Sequence, residues 1–150
     1  MFQRLAIAAT LGITLIGCTQ PRPSSPPSGT TAHALDAQGA WRLQSATDAI
    51  GRELLPRGVD YRLQFSDDRI NVLGGCNRMF GNALIDGHAL KIGPLASTRM
   101  ACEGPKMQQD ATLAKLIEQP LAITLEGQSE RLRLKAANGD VLVFSAIPLE

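Results

Sequence analysis

A chain of 150 residues carrying 15 Lys and Arg against 14 Asp and Glu has the length of one domain and almost no net charge, so a second large core is excluded. The near balance also removes the cation excess that a nucleic-acid binder needs to neutralise phosphates. With a single Trp and a single Tyr, an aromatic cage or base-stacking platform is excluded too, and the core must be built mainly from Leu, Ile and Val.

The amino terminus carries one cation, Arg4, followed by the apolar run from Leu5 to Gly17. That run is too short to span a bilayer and has the form of an export signal over residues 1–17. It ends in Leu15-Ile16-Gly17-Cys18, which resembles the lipobox of bacterial lipoproteins. The resemblance implies that the Cys18 thiol takes up a diacylglyceryl group, and that the chain is cut before it and carries further fatty acid such as palmitate. Loss of residues 1–17 removes Arg4 and leaves 14 cations against 14 acids. Thr19 stands where an aspartate would hold such a protein at the inner membrane, so in a two-membrane host the pattern resembles that of outer-membrane lipoproteins.

Residues 18–38 hold Pro21, Pro23, Pro26 and Pro27 among Ser, Thr, Gly and Ala. So little apolar surface predicts a disordered tether, reaching about 50 Å or less from the membrane at roughly 3 Å per residue. His33 falls in it as a solvated side chain.

From residue 39 to 150 the pattern changes to short alternating segments divided by turn residues, which predicts a mostly β fold (α+β) with an antiparallel sheet of about seven or eight strands. Trp41 and Leu43 open it. Tyr61, Leu63 and Phe65 alternate, then Ile70 and Val72 follow the turn Ser66-Asp67-Asp68 as a hairpin. Leu84 and Ile85 precede the turn Asp86-Gly87, with Leu90 and Ile92 beyond it. Further on, Leu121, Ile123 and Leu125 form one strand, Leu132 and Leu134 another, and Asn138-Gly139 leads into Val141 to Phe144. A helix over about 105–118 interrupts the pattern, with Pro105 suited to its first turn and Pro120 to its stop. Met107, Ala111, Ala114 and Ile117 repeat at helical spacing, with Leu113 widening the apolar face. Asp110 lies within that stripe, either at its wet end or meeting a cation such as Arg78 or Arg99; the wet end is the reading adopted.

The densest signal is Gly74-Gly75-Cys76-Asn77-Arg78-Met79-Phe80-Gly81, followed after a hairpin by Thr98-Arg99-Met100-Ala101-Cys102. These two blocks, with Trp41 ahead and the Leu-rich strands behind, resemble the META domain of HslJ-like envelope proteins over about residues 39–146. The resemblance implies a compact antiparallel β fold with one helix, carried by lipoproteins or heat-shock-associated proteins, with no established catalytic activity. The motif residues Gly75, Asn77, Gly81, Thr98 and Met100 are read as structural.

The residues themselves point the same way. Cys76 and Cys102 are the two cysteines of the mature domain, and export places them where disulfides persist, so they are expected to pair. Their separation of 102 − 76 = 26 predicts a stabilisation of roughly 3 to 4 kcal/mol. Two thiols without neighbouring histidines leave zinc short of ligands, since His88 stands alone in a turn, so no metal and no cofactor is expected. Gly74, Gly75 and Gly81 lack the Lys-Ser or Lys-Thr and the helix that a phosphate loop requires, and read as a tight bend in which Asn77 bonds neighbouring backbone or takes a left-handed conformation.

Catalysis is not expected. Ser97 with His88 and Asp86 is the one nucleophile arrangement that can be written down, and Asp67, Asp68 and Asp86 belong to turns where solvated acids are routine. Arg131, Arg133 and Lys135 put three cations on one strand face, read as a solvated, aggregation-resistant surface that could also receive an anion. The functional expectation is a membrane-tethered envelope domain that binds an envelope protein or small ligand, or serves under envelope stress. The alternative is an inhibitor of a secreted hydrolase such as a lysozyme, presenting the turn Asp86-Gly87-His88 to a cleft.

Overall fold

The computed structural model describes residues 31, 32, 34 and 35 and residues 39–147 apart from 129. The export signal, Cys18, most of the expected tether and His33 lie outside the described residues. Nine strands and one long helix follow in chain order: β1 (Ala40–Thr47), β2 (Arg62–Ser66), β3 (Arg69–Leu73), β4 (Met79–Asp86), β5 (Ala89–Ile92), β6 (Ala96–Ser97), α1 (Gly104–Ile117), β7 (Leu121–Glu126), β8 (Arg131–Ala136) and β9 (Val141–Ile147).

All strand pairings are antiparallel, in the order β3-β2-β1-β9-β8-β7-β5-β4-β6, and a further β3–β4 pairing closes eight of the strands into a barrel. The ninth, β6, is a short continuation of β5 along β4, where Met79 faces Ser97 and Phe80 faces Ala96. Closure leaves no long free edge among the described strands that could pair with another chain.

Alternation decides which residues fill the barrel. Trp41, Leu63, Ile70, Val72, Leu90, Leu132, Leu134, Leu142 and Phe144 are all fully buried. In β1 the alternation slips at a bulge between Leu43 and Ser45, which adds Gln44 on the outside and lets both Leu43 and Ala46 point inward. Leu84 faces outward and is exposed; Met79 and Ala83 are the buried residues of β4.

The helix begins with proline in its first turn and has Lys115 in its last, where a cation suits the carbonyl end. It crosses the barrel end formed by the start of β4 and the end of β3. Its buried residues are Asp110, Leu113, Leu116 and Ile117. Met107 and Ala111, expected on the apolar face, are exposed, and Leu116 takes that place.

At the opposite end, the described part of the stretch read as tether is packed. Thr31, Ala32, Ala34 and Leu35 are helical, Leu35 is fully buried, and the Trp41 indole Nε1 donates to the Leu35 carbonyl at 3.1 Å. The folded part therefore begins before residue 39. Leu35 is a lone large apolar residue in a Pro- and Ser-rich stretch, and its burial depends on joining the core cluster with Trp41, which forms only when the sheet closes.

Candidate functional site

Between β3 and β4 the chain turns through Gly74-Gly75-Cys76-Asn77-Arg78. The backbone of Gly74 has φ 106°, and a Cβ there would lie 1.4 Å from the Asp60 carbonyl oxygen. At Gly75 a Cβ would meet Asp110 Oδ1 at 2.0 Å and the Tyr61 ring at 2.5 Å. These two glycines thus let the chain press against Asp60, Tyr61 and the helix.

What it presses against is a buried carboxylate. Asp110 Oδ1 accepts from the Tyr61 hydroxyl at 2.6 Å and from the Cys76 N–H at 3.2 Å; Oδ2 accepts from the Asn77 N–H at 2.8 Å and from Asn77 Nδ2 at 3.2 Å. Asp110 is only 6% exposed. Asp110 is therefore neither at a wet end nor paired with Arg78 or Arg99. Four hydrogen-bond donors satisfy it in place of a cation, two of them successive backbone N–H groups of the glycine turn. Burial first, and then the hydrogen bond to the Asp110 carboxylate and its charge, push the Tyr61 phenol well above its ordinary pKa.

Asn77 continues the chain of bonds. Its Oδ1 accepts from the Met100 N–H at 2.8 Å and from the Thr98 hydroxyl at 3.1 Å, while Thr98 Oγ1 accepts from the Arg78 N–H at 3.1 Å. Its side chain thus links two distant segments, where the expectation was a local bond or a left-handed backbone, which it does not adopt. Cys76 and Cys102 form a disulfide with Cα atoms 5.9 Å apart. Gly81 packs where a Cβ would stand 3.0 Å from Leu95. Gly75, Asn77, Thr98 and Met100 are thus brought together around one acid that the sequence placed on an apolar stripe, while Gly81 lies apart on β4. The available signal was that acid, three residues before Leu113 and seven before Ile117, together with a Gly-Gly turn that exposes consecutive N–H donors.

Outside this knot, on the outer face of β2, β3 and β4, lies an open groove of about 580 Å³ lined by Gln64, Asn71, Leu73, Arg78, Phe80 and Thr98, among others. Gln64 faces Asn71 across the strands and Asn71 faces Phe80, forming one transverse row. Neighbouring side chains in such a row can contact one ligand together. Phe80 is 40% exposed. Among the described residues, the side-chain amides of Gln64 and Asn71 and the guanidinium of Arg78 have no hydrogen-bond or ion-pair partner. Sequence reasoning missed the groove, because its lining comes from strands whose register is set only by barrel closure.

The remaining candidates are dispersed. Ser97 pairs with the first residue of β4, whereas His88 follows its last, Asp86, so about 23 Å of strand separates them. The Asp86-Gly87-His88 turn has only Gly87 and His88 between the paired Asp86 and Ala89, and gives the inhibitor reading no protruding loop. Asp67 and Asp68 form an equally short turn with Asp67 at φ 52°. Arg131, Arg133 and Lys135 all point outward and are exposed.

No curated protein matches the chain. Among solved structures, it is similar to an NMR structure of a protein from Burkholderia xenovorans, with TM-score 0.65 and 23% identity over 90% of this chain and 99% of the other. A second NMR structure superposes with TM-score 0.56 and 21% identity, over 77% and 93%. At such identities the likeness is one of fold. The META domain profile matches residues 33–148, reaching back past the start expected from the motifs and taking in the buried Leu35. The chain belongs to the META domain family.

Proposed function

We propose that this chain is a lipid-anchored bacterial envelope protein whose META domain binds a ligand or partner without catalysing a reaction, with service under envelope stress as one use of that binding. The observation that carries the binding reading is the groove on β2, β3 and β4. A half-exposed phenyl ring beside two unengaged amides and an unengaged guanidinium suits a ligand with an apolar face, carbonyl or hydroxyl groups and a negative charge. The reading of no catalysis is supported by the engagement of the buried acid. Tyr61 and Asp110 are held against one another and against backbone N–H groups, which leaves neither open to a substrate. The lipid anchor rests on Leu15-Ile16-Gly17-Cys18, and Thr19 favours the outer membrane, with the domain facing the periplasm.

Two measurements test the proposal. Fatty-acid labelling in the bacterial host should mark the unaltered chain and not the Cys18→Ser variant; label persisting in that variant defeats the anchor. Envelope components captured on the unaltered domain should be lost with Phe80→Ala and Arg78→Ala at unchanged melting temperature, and kept with Arg52→Ala in the connection between β1 and β2, which does not line the groove. Capture indifferent to both groove variants removes the groove as the binding place.

A further inference from the structure

The strand order places two different surfaces on opposite sides of the barrel. In the closed series β3-β2-β1-β9-β8-β7-β5-β4, strand β8 lies four steps from β3 in either direction. The groove is centred on β3. On β8 stand Arg131, Arg133 and Lys135, outward and exposed, and none has an ion pair or hydrogen bond among the described residues.

Their surroundings compensate the charge only at one end. Across from Lys135 and Arg133 are Ala122 and Thr124 on β7 and Val141 and Val143 on β9. Glu126, opposite Arg131, is the acid paired with this row. Beyond β9, Ser145 faces both Arg131 and Arg42, but Arg42 is ion-paired with Asp60 at 3.5 Å, so the strip of unpaired cations is confined to β8. Successive outward residues on a strand are about 7 Å apart, so the three cations of β8 form a strip about 13 Å long.

The chain enters the fold beside this strip. Thr31, the first described residue, is buried and lines the same cavity as Ala122 and Thr124, the outward residues of β7 that border β8. Arg131 stands at the barrel end where β1 starts, since it pairs with Ser145 and through it with Arg42. From Cys18 to Thr31 are thirteen residues, which span at most about 45 Å.

We infer that the β8 face is the membrane-facing side of the domain and rests on an anionic phospholipid surface, with the groove turned away from the bilayer toward the envelope space. The charge sign, the lack of partners for the cations among the described residues and the place of Thr31 beside β7 all favour this seat. It rests on the proposed anchor only for the chain's being near a membrane; the affinity of the strip for anionic lipid is a property of the folded domain.

The test therefore uses a chain that cannot be lipidated, residues 18–150 with Cys18→Ser, and vesicles of phosphatidylcholine alone or of equal parts phosphatidylcholine and phosphatidylglycerol. It should partition onto the phosphatidylglycerol vesicles at low salt, not onto phosphatidylcholine, and be released as salt rises. Each cation near such a surface contributes about fivefold in partitioning, so replacing Arg131, Arg133 and Lys135 together by Gln should weaken it about 100-fold. The pair Arg52→Gln and Arg57→Gln, elsewhere on the surface, should leave it nearly unchanged. Equal binding to both vesicle types, or a triple variant as strong as the parent, overturns the inference. So does retention on an anionic polysaccharide with none on vesicles, which would assign the strip to a soluble polyanion. Vesicle binding lost with fatty-acid label on Cys18 intact strikes the strip and spares the anchor, and the reverse result strikes only the anchor.

Discussion

Asp110 shows how one residue organises a motif. A carboxylate taken out of water is tolerated when enough donors replace its hydration, and here the donors are Tyr61, Cys76 and Asn77. Asp110→Asn keeps the shape but turns one acceptor oxygen into an N–H group aimed at other donors. It should cost about 2 to 4 kcal/mol and lower the melting temperature by roughly 10 °C or more. Asn77→Ala should cost about 2 kcal/mol through its three lost side-chain bonds, and Arg78→Ala less than about 0.5 kcal/mol. Melting curves of the three variants check this order; an Asp110→Asn domain as stable as the parent would show that the knot is incidental. The same site predicts an alkaline dependence. The Tyr61 phenol holds its proton more tightly in the folded chain than in the unfolded one, so its contribution is whole below about pH 10 and declines as pH rises above that. Tyr61→Phe should flatten this alkaline loss in denaturant midpoints. Because Tyr61 is the single tyrosine, phenolate absorbance reports its ionisation directly: it should emerge only as the domain unfolds.

Among elements, the glycine turn and the strand-to-helix connection depend on each other. The turn supplies N–H groups to the helix acid, Asn77 holds Thr98 and Met100, and the disulfide ties Cys76 to Cys102, two residues before the helix. Reduction should cost roughly 3 to 4 kcal/mol by releasing a loop of 26 residues in the unfolded chain. Melting with and without reductant measures it, and coincident curves would mean that the hydrogen bonds alone set the stability. Most elements were legible because alternation and turn residues are local signals; the strands from Tyr61 to Phe144 and the bounds of the helix followed from them. The helix's buried face was less so. Asp110 counted as a polar intruder on the apolar stripe, whereas it anchors that face, and Met107, one turn earlier, stays exposed.

For the whole molecule, closure of the sheet decides what is inside, where the chain enters and which surfaces oppose one another. Leu35 fills the end of the barrel beside Trp41, so a domain begun at residue 39 should be about 2 to 4 kcal/mol less stable than one begun at residue 30. Urea midpoints of the two chains test this, and equal midpoints would return residues 31–35 to the tether. By itself the sequence determined the alternating strands, the long helix and the pairing of Cys76 with Cys102, since each is written in neighbouring residues or in a count of two thiols in the domain, and it supplied the address only as an expectation. Only the tertiary structure decided the partners of Asp110, the inward place of Leu35, and the opposition of the groove on β3 to the cations on β8. These depend on register and on the ring order of strands far apart in the chain, and a local pattern of side chains is compatible with many such orders.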